Sequence, residues 1–305
     1  MSIALIFPGQ GSQKLGMLSE IYAAFPSFAK TFEEAKGALG FDLWDLIQMD
    51  EVKLNQTEYT QPALLACSVA LWRLLPEKLI SKVSHLAGHS LGEYSALACA
   101  EGISFSDALQ LVFKRGQLMQ AAVKPGKGAM AAFLGLSDAL AIQACEQAAQ
   151  GQIVSAVNFN CEGQVVIAGE IDAVNRACEI GKTFGAKRAQ LLPVSVPSHC
   201  ALMTSAAQEL SKALKEVKFH PPKIPIIHNV DAKEHSDPEA IRKALCAQLD
   251  HPVQWVRTIE RCALAGVDEF IECGPGRVLA GLNKRIVDFP VTSLGSLESL
   301  QDLMA

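Results

Sequence analysis

Residues 86–100, "LAGHSLGEYSALACA", set Ser90 between Gly88 and Gly92 in the pattern G-x-S-x-G. A short apolar run with strand character precedes the serine and a helix-like run follows it, so the segment reads as a strand-turn-helix elbow. A serine becomes a useful nucleophile only beside a base and where a substrate carbonyl can reach it. A sharp turn meets the second condition. The flanking glycines leave room for the helix to pack against the strand, and the Leu91 amide points toward any oxyanion forming beside the serine. The same pattern also suits a small residue filling a turn, so the choice depends on partners elsewhere in the chain.

Working outward, the opening "SIALIFPGQGSQ" reads as a buried strand that stops at Pro8-Gly9 in a Gly-rich loop. Helical patterns follow over 18–39 and 59–79, and again over 93–100 and 105–122. Strand alternating with helix predicts a parallel sheet covered on both faces. Near Lys124 the grammar changes. After the turn "VKPGKG", the segments "AMAAFLGL", "SDALAIQACEQAAQ", "IVSAVNFN", "GQVVIAGE", "IDAVNRACEIGKTFG" and "AKRAQLLPVSV" read β-α-β-β-α-β, the ferredoxin-like order. The expected architecture is therefore α/β: a hydrolase-like large domain from 1–123 and 197–305, with a parallel sheet core, and a small ferredoxin-like domain inserted at 124–196. In the returning part, helices are expected over 200–217, 238–249 and 253–265, with strands at "KIPIIHNV" and "VDEFIECG". The segment "GPGRVLAGLNKRI" then turns into a helix. It is no dinucleotide fingerprint, because Leu279 stands where the third glycine belongs.

Composition narrows the function classes. The chain has 305 residues, half of them hydrophobic and 19% charged, as expected of a soluble globule with a substantial core. Its formal charge of −5 argues against broad nucleic-acid binding but leaves room for a local basic patch. No apolar run is long enough to span a bilayer and the amino terminus has no basic leader, which reads as cytoplasmic. Nine cysteines without a C-x-x-C pair read as reduced core thiols, and no Cys/His cluster has metal-binding spacing, so no metal or other cofactor is expected.

The search for a base for Ser90 turns on the histidines. His89 is adjacent, but neighbouring side chains diverge at a tight elbow. His85 lies within the incoming strand and reads as structural. His220, His228, His235 and His251 sit beside loops, prolines or charges, where solvated or capping roles fit. His199, in "LLPVSVPSHCALM", falls where the small domain's last strand meets a helix of the large one, and interdomain clefts are common binding sites. A triad acid between Ser90 and His199 is not evident, because Asp138 and Asp172 open helices and read as caps. A histidine without an acid needs a neutral acceptor, such as a backbone carbonyl or an amide, which gives a Ser-His dyad.

Seven motifs in order, "FPGQGSQ", "TEYTQPALLA", "AGHSLGEYSAL", "VFKRGQLMQ", "GQVVIAG", "VPSHCALM" and "ECGPGRVL", resemble the malonyl-CoA:acyl carrier protein transacylases of bacterial fatty acid synthesis over nearly the whole chain. The resemblance implies Ser90 as acylated nucleophile and His199 as general base, with the amides of Gln10 and Leu91 as oxyanion hole. It implies the main-chain carbonyl around Gln248 as the group orienting His199, and Arg115 as the holder of the malonyl carboxylate. From position alone, Arg115 could equally form an i,i+4 surface pair. The chain departs from the family pattern at Glu162, where proline is usual, which bears on the shape of one loop. The implied partners are malonyl-CoA and an acidic acyl carrier protein, with Lys187–Arg188 and Lys284–Arg285 as candidate docking pairs on a monomer. Rival readings are a serine hydrolase, which needs a triad acid but not Arg115, and a non-catalytic carrier-binding module. A secondary-metabolism acyltransferase is a nearer variant.

Overall fold

The computed structural model describes residues 2–194 and 196–304. Five parallel strands form the first sheet: β1 (Ile3–Phe7), β2 (Val83–Gly88), β7 (Ile226–Ile227), β8 (Glu269–Glu272) and β9 (Val291–Ser293), in the order β7-β2-β1-β8-β9. β1 is buried at every position because helices cover both faces. Ile3, Leu5 and Phe7 pack on one side and Ala4 and Ile6 on the other, the two-residue period of a strand. Helix Thr57–Trp72, buried along nearly its whole length, and helix Phe105–Ala122 lie on the first of these faces.

The second sheet is antiparallel: β3 (Gly128–Leu134), β4 (Val154–Cys161), β5 (Gln164–Glu170) and β6 (Arg188–Leu191), in the order β4-β5-β3-β6. Helices Asp138–Ala149 and Ile171–Thr183 cover one face of it around Phe133, Val165 and Ile167. The chain thus runs β-α-β-β-α-β through this part, and the fold is the mixed α/β class the sequence indicates.

Several expected elements differ in extent. The helical run over 18–39 is two helices, Ser19–Ala24 and Pro26–Leu39, because Phe25 is extended before a proline. The run over 59–79 ends at Trp72, and a short helix, Glu77–Ile80, restarts after Pro76. "KIPIIHNV" contributes a two-residue edge strand, since β7 pairs with β2 at Leu86 and Ala87 and on its other side makes a single bridge, Ile227 to Glu234. The strand expected over 186–196 pairs only at Arg188–Leu191, and Pro193 lacks the donor a ladder needs. Ser195 in that segment lies outside the described residues, as do Met1 and Ala305 at the ends of the expected large domain. Strand β9 and helix Leu297–Met304 have no counterpart in the sequence reading, because three half-buried edge residues carry no usable period. Among the described residues, no helix is long and apolar enough to cross a membrane.

Candidate active site

β1 and β2 end side by side, Phe7 opposite Gly88, so the Pro8-Gly9-Gln10 loop and the Ser90 turn leave the sheet at the same edge. The carboxyl ends of strands in an open parallel sheet are where such folds bind ligands. Ser90 sits between β2 and helix Gly92–Cys99 with φ +52°, a left-handed conformation that costs a side-chain-bearing residue energy and marks a strained elbow. Close packing makes the turn. A Cβ on Gly88 would lie 1.9 Å from the carbonyl carbon of Gly92, and one on Gly92 would lie 2.0 Å from the oxygen of Phe7. The Ser90 N–H donates to Asn229 Oδ1 at 2.6 Å, and Asn229 Nδ2 donates to the Gly88 carbonyl at 2.6 Å. The asparagine after β7 therefore clamps the turn from the next strand.

His199 reaches the serine from across the chain. Its Nε2 accepts from the Ser90 hydroxyl at 2.8 Å, and its Nδ1–H donates to the Gln248 main-chain carbonyl at 2.7 Å. A carbonyl can only accept, which fixes the proton on Nδ1 and leaves Nε2 free as base. The residue itself has φ +66° and is held by its N–H to the Leu249 carbonyl at 3.1 Å. Burial, followed by the Arg115 charge, lowers the imidazole from its ordinary value to about 3, with the Gln248 carbonyl opposing. The base is neutral at any working pH.

Arg115 projects from helix Phe105–Ala122 and is 1% exposed, so it is a buried cation and not a surface pair. Nη1 donates to Gln61 Oε1 at 2.9 Å, while Nη2 donates to Gln248 Oε1 at 2.9 Å and to Ser90 Oγ at 3.2 Å. Its Nε–H has no partner among the described residues, and the three partners it has are neutral. A buried guanidinium held this way is prepared for an anion. Gln10, Leu91, Ser90, Arg115 and His199 line one cavity of about 90 Å³, closed on the other side by Met130, Leu192 and Val194. The Gln10 side chain is tied to Thr57 Oγ1 at 3.3 Å, and among the described residues neither the Gln10 nor the Leu91 amide N–H has an acceptor.

His89 points away, its Nε2 2.8 Å from Asn160 Oδ1, and burial lowers it from its ordinary value. His228 corrects the sequence reading. Placed there among solvated or capping histidines, it is fully buried, and its Nδ1 lies 2.6 Å from Glu93 Oε1. The two-residue β7 carries it under the elbow, where solvent does not reach. Asp138 and Asp172 do not cap: the Ser137 hydroxyl caps the first helix, and the second begins after Glu170 without a side-chain cap. Gln61, Glu93 and Asn229 were missed altogether. The signal for Gln61 was a lone amide in the helix Thr57–Trp72, whose neighbours are nearly all apolar.

The two basic pairs, remote in sequence, approach each other. Lys187 lies over Gly135 and the Arg285 guanidinium beside Gly163, two glycines joined by a 2.7 Å hydrogen bond. Arg285 is also committed internally: Nη2 donates to the Glu162 carbonyl at 2.6 Å and Nη1 to Gln164 Oε1 at 3.1 Å. Glu162 and Gly163 form the turn between β4 and β5, so the departure from the family pattern falls at a hairpin tip away from Ser90.

Comparison with known proteins agrees with this geometry. Residues 4–297 match the family model described as acyl transferase domain. The malonyl CoA-acyl carrier protein transacylase of Escherichia coli (strain K12) is 54% identical over 286 residues, 93% of each chain. A crystal structure of an acyl carrier protein S-malonyltransferase from Vibrio cholerae superposes with a TM-score of 0.95 at 52% identity, covering 99% of this chain and 100% of that one. A malonyl-transacylase solved in complex with its type II PKS acyl-carrier protein gives 0.97 at 52% identity, covering 100% of this chain and 99% of that one. Arrived at from both the elbow and the alignment, the conclusion is that this chain belongs to the acyl transferase domain family, among the malonyl CoA-acyl carrier protein transacylases.

Proposed function

We propose that the chain transfers the malonyl group of malonyl-CoA to the phosphopantetheine thiol of acyl carrier protein, through a malonyl ester on Ser90. The observation that carries this reading is the placement of Ser90 Oγ between a neutral base, His199 Nε2 at 2.8 Å, and a buried cation, Arg115 Nη2 at 3.2 Å, that has no carboxylate partner among the described residues. A malonyl thioester has an electrophilic carbonyl and a carboxylate one carbon apart. The serine meets the first and the guanidinium fork the second.

In the first half-reaction His199 takes the hydroxyl proton as Ser90 Oγ attacks the thioester carbon. The oxyanion lies against the amides of Gln10 and Leu91, the C–S bond breaks, and CoA leaves with the proton from Nε2. The carrier thiol then gives its proton to the same nitrogen, attacks the ester, and Ser90 recovers it. The Gln248 carbonyl stabilises the imidazolium in both halves. The incoming malonyl carboxylate offsets the Arg115 charge that depresses His199, so the correct substrate also strengthens the base. An acetyl group lacks that charge and leaves Arg115 unpaired.

We assign catalysis to residues 1–123 and 197–305, with 124–196 closing the cleft. A single chain supplies every group, which suits a monomer, and free thiols at all nine cysteines suit the cytoplasm. For the carrier protein, Lys187, Arg188, Lys284 and Arg285 form a docking surface that spans both parts; Arg285 also braces the hairpin beneath it. A hydrolase is disfavoured because the Nδ1 partner is a carbonyl and Arg115 would have no task.

The test is intact-protein mass spectrometry after brief mixing with malonyl-CoA or acetyl-CoA. A malonyl adduct on wild type, absent in Ser90→Ala, preferred over acetyl and discharged by holo-acyl carrier protein, is the expected result. Free malonate released without a carrier would make the protein a hydrolase, and no adduct would make it a binding module.

A further inference from the structure

The elbow helix begins with a carboxylate that the mechanism above does not use. Glu93 is fully buried, three residues after the nucleophile, and faces inward beneath it. Its Oε1 lies 2.6 Å from His228 Nδ1, and its Oε2 accepts from the Asn229 N–H at 2.9 Å and from Gln248 Nε2 at 2.9 Å. Gln248 is the residue through which both functional side chains are held: its main-chain carbonyl takes the His199 Nδ1–H, and its Oε1 takes Arg115 Nη2. Its Nε2 also donates to the Ser90 carbonyl at 2.9 Å.

We infer that Glu93 is a positioning residue that sets His199 and Arg115 together, by fixing the side chain of Gln248 beneath the elbow. An amide can be flipped, and its oxygen and nitrogen are nearly isosteric. Left alone, Gln248 could turn its nitrogen toward Arg115, placing donor against donor. Glu93 forbids this together with the Ser90 carbonyl, because both only accept and therefore demand Nε2. The oxygen is thereby committed to Arg115. The acid absent from the His199 ring is present in the site after all, acting at one remove. This inference rests on the roles proposed above for Ser90, His199 and Arg115.

Glu93→Gln and Glu93→Ala separate the link from the fold. A glutamine can keep one oxygen toward Asn229 and Gln248 and donate its own N–H to His228 Nδ1, once that ring carries its proton on Nε2, an atom with no partner among the described residues. Single-turnover acylation, counted per folded protein, is measured with malonyl-CoA and acetyl-CoA. Glu93→Gln should retain most of the malonyl rate. Glu93→Ala should lose roughly tenfold or more, the scale of leaving buried donors unpaired, with acetyl falling less than malonyl because only malonyl uses Arg115. Gln248→Met, which cuts the same link from the other end, should reproduce this shift in the malonyl-to-acetyl ratio, and the double variant should be no worse than either single one. Additive losses, or a ratio unchanged in Glu93→Ala and Gln248→Met, would overturn the inference. Should Glu93→Ala not fold, Glu93→Leu, which fills the same space without an acceptor, takes its place in the same comparison. If wild type gave no adduct on Ser90, the function itself would fall; a normal adduct with an unmoved ratio would remove Glu93's role and leave the function standing.

Discussion

The two walls of the cleft are built on different principles. On the large-sheet side, Ser90, His199, Arg115, Gln248, Glu93 and Asn229 form one hydrogen-bonded network with short, directional contacts. On the small-sheet side, Met130, Leu192 and Val194 offer apolar surface beside one polar residue, Asn158 of β4, with Met130 resting on a thin cluster that includes Val157, Val166 and Ala168. One wall must hold charges to within tenths of an ångström, and a satisfied buried network does that. The other has only to exclude water, and apolar side chains suffice. In the proposed reaction, chemistry and water exclusion thus fall mainly to separate sheets.

The contrast can be broken most severely at Arg115. Arg115→Ala removes one half of the buried charge pair proposed with substrate, so discrimination of malonyl over acetyl should fall by about 10³-fold, measured as the ratio of kcat/KM values. Equal losses for both acyl groups would contradict the carboxylate role. The same variant removes the second largest cause of the depressed His199 value. Losing a neighbouring positive charge favours the protonated ring, so the acid limb of the kcat/KM profile for acetyl transfer should move to higher pH.

Gly88→Ala attacks the same wall through the backbone. With a carbon 1.9 Å from the new Cβ, the elbow must shift, and a displacement of about 1 Å at a reacting group costs on the order of 10²-fold in acylation rate. Adduct formation per folded protein reads this directly.

Met130→Ser tests the apolar wall. It leaves the network intact, so the rate of malonyl loading should change little, while spontaneous loss of malonate from the acyl-enzyme should rise severalfold. Loss of loading with unchanged hydrolysis would reverse the assignment of tasks.

The smallest effect is expected at the rim. Lys187→Glu with Arg188→Glu should raise the KM for carrier protein by no more than about 1 kcal/mol per exposed pair, weakening further with salt. Malonyl-CoA hydrolysis and loading should be unaffected.

The fold was legible wherever local pattern and function coincide. The glycines around Ser90 and the buried strand Ile3–Phe7 declare themselves within a dozen residues, and the β-α-β-β-α-β rhythm does so element by element. His199 and Arg115 stood out through their motifs. His228 was misread because its neighbours Pro225, Lys223 and Lys233 look solvated, whereas β7 buries it against β2. Glu93 sat in view beside the nucleophile, yet its direction of projection depends on helix Gly92–Cys99 being pressed onto Phe7.

By itself, the sequence determined the elbow and the two sheets and singled out Ser90 as the candidate nucleophile, because strand period, glycine spacing and turn chemistry act over a few neighbouring residues. Only the tertiary structure decided what surrounds Arg115, and that Glu93, His228, Asn229 and Gln248 meet beneath Ser90. Those contacts join residues up to 158 positions apart. Local preferences carry no information about them, since they arise only when β7 pairs with β2 and the end of helix Pro238–Gln248 reaches the Ser90 turn.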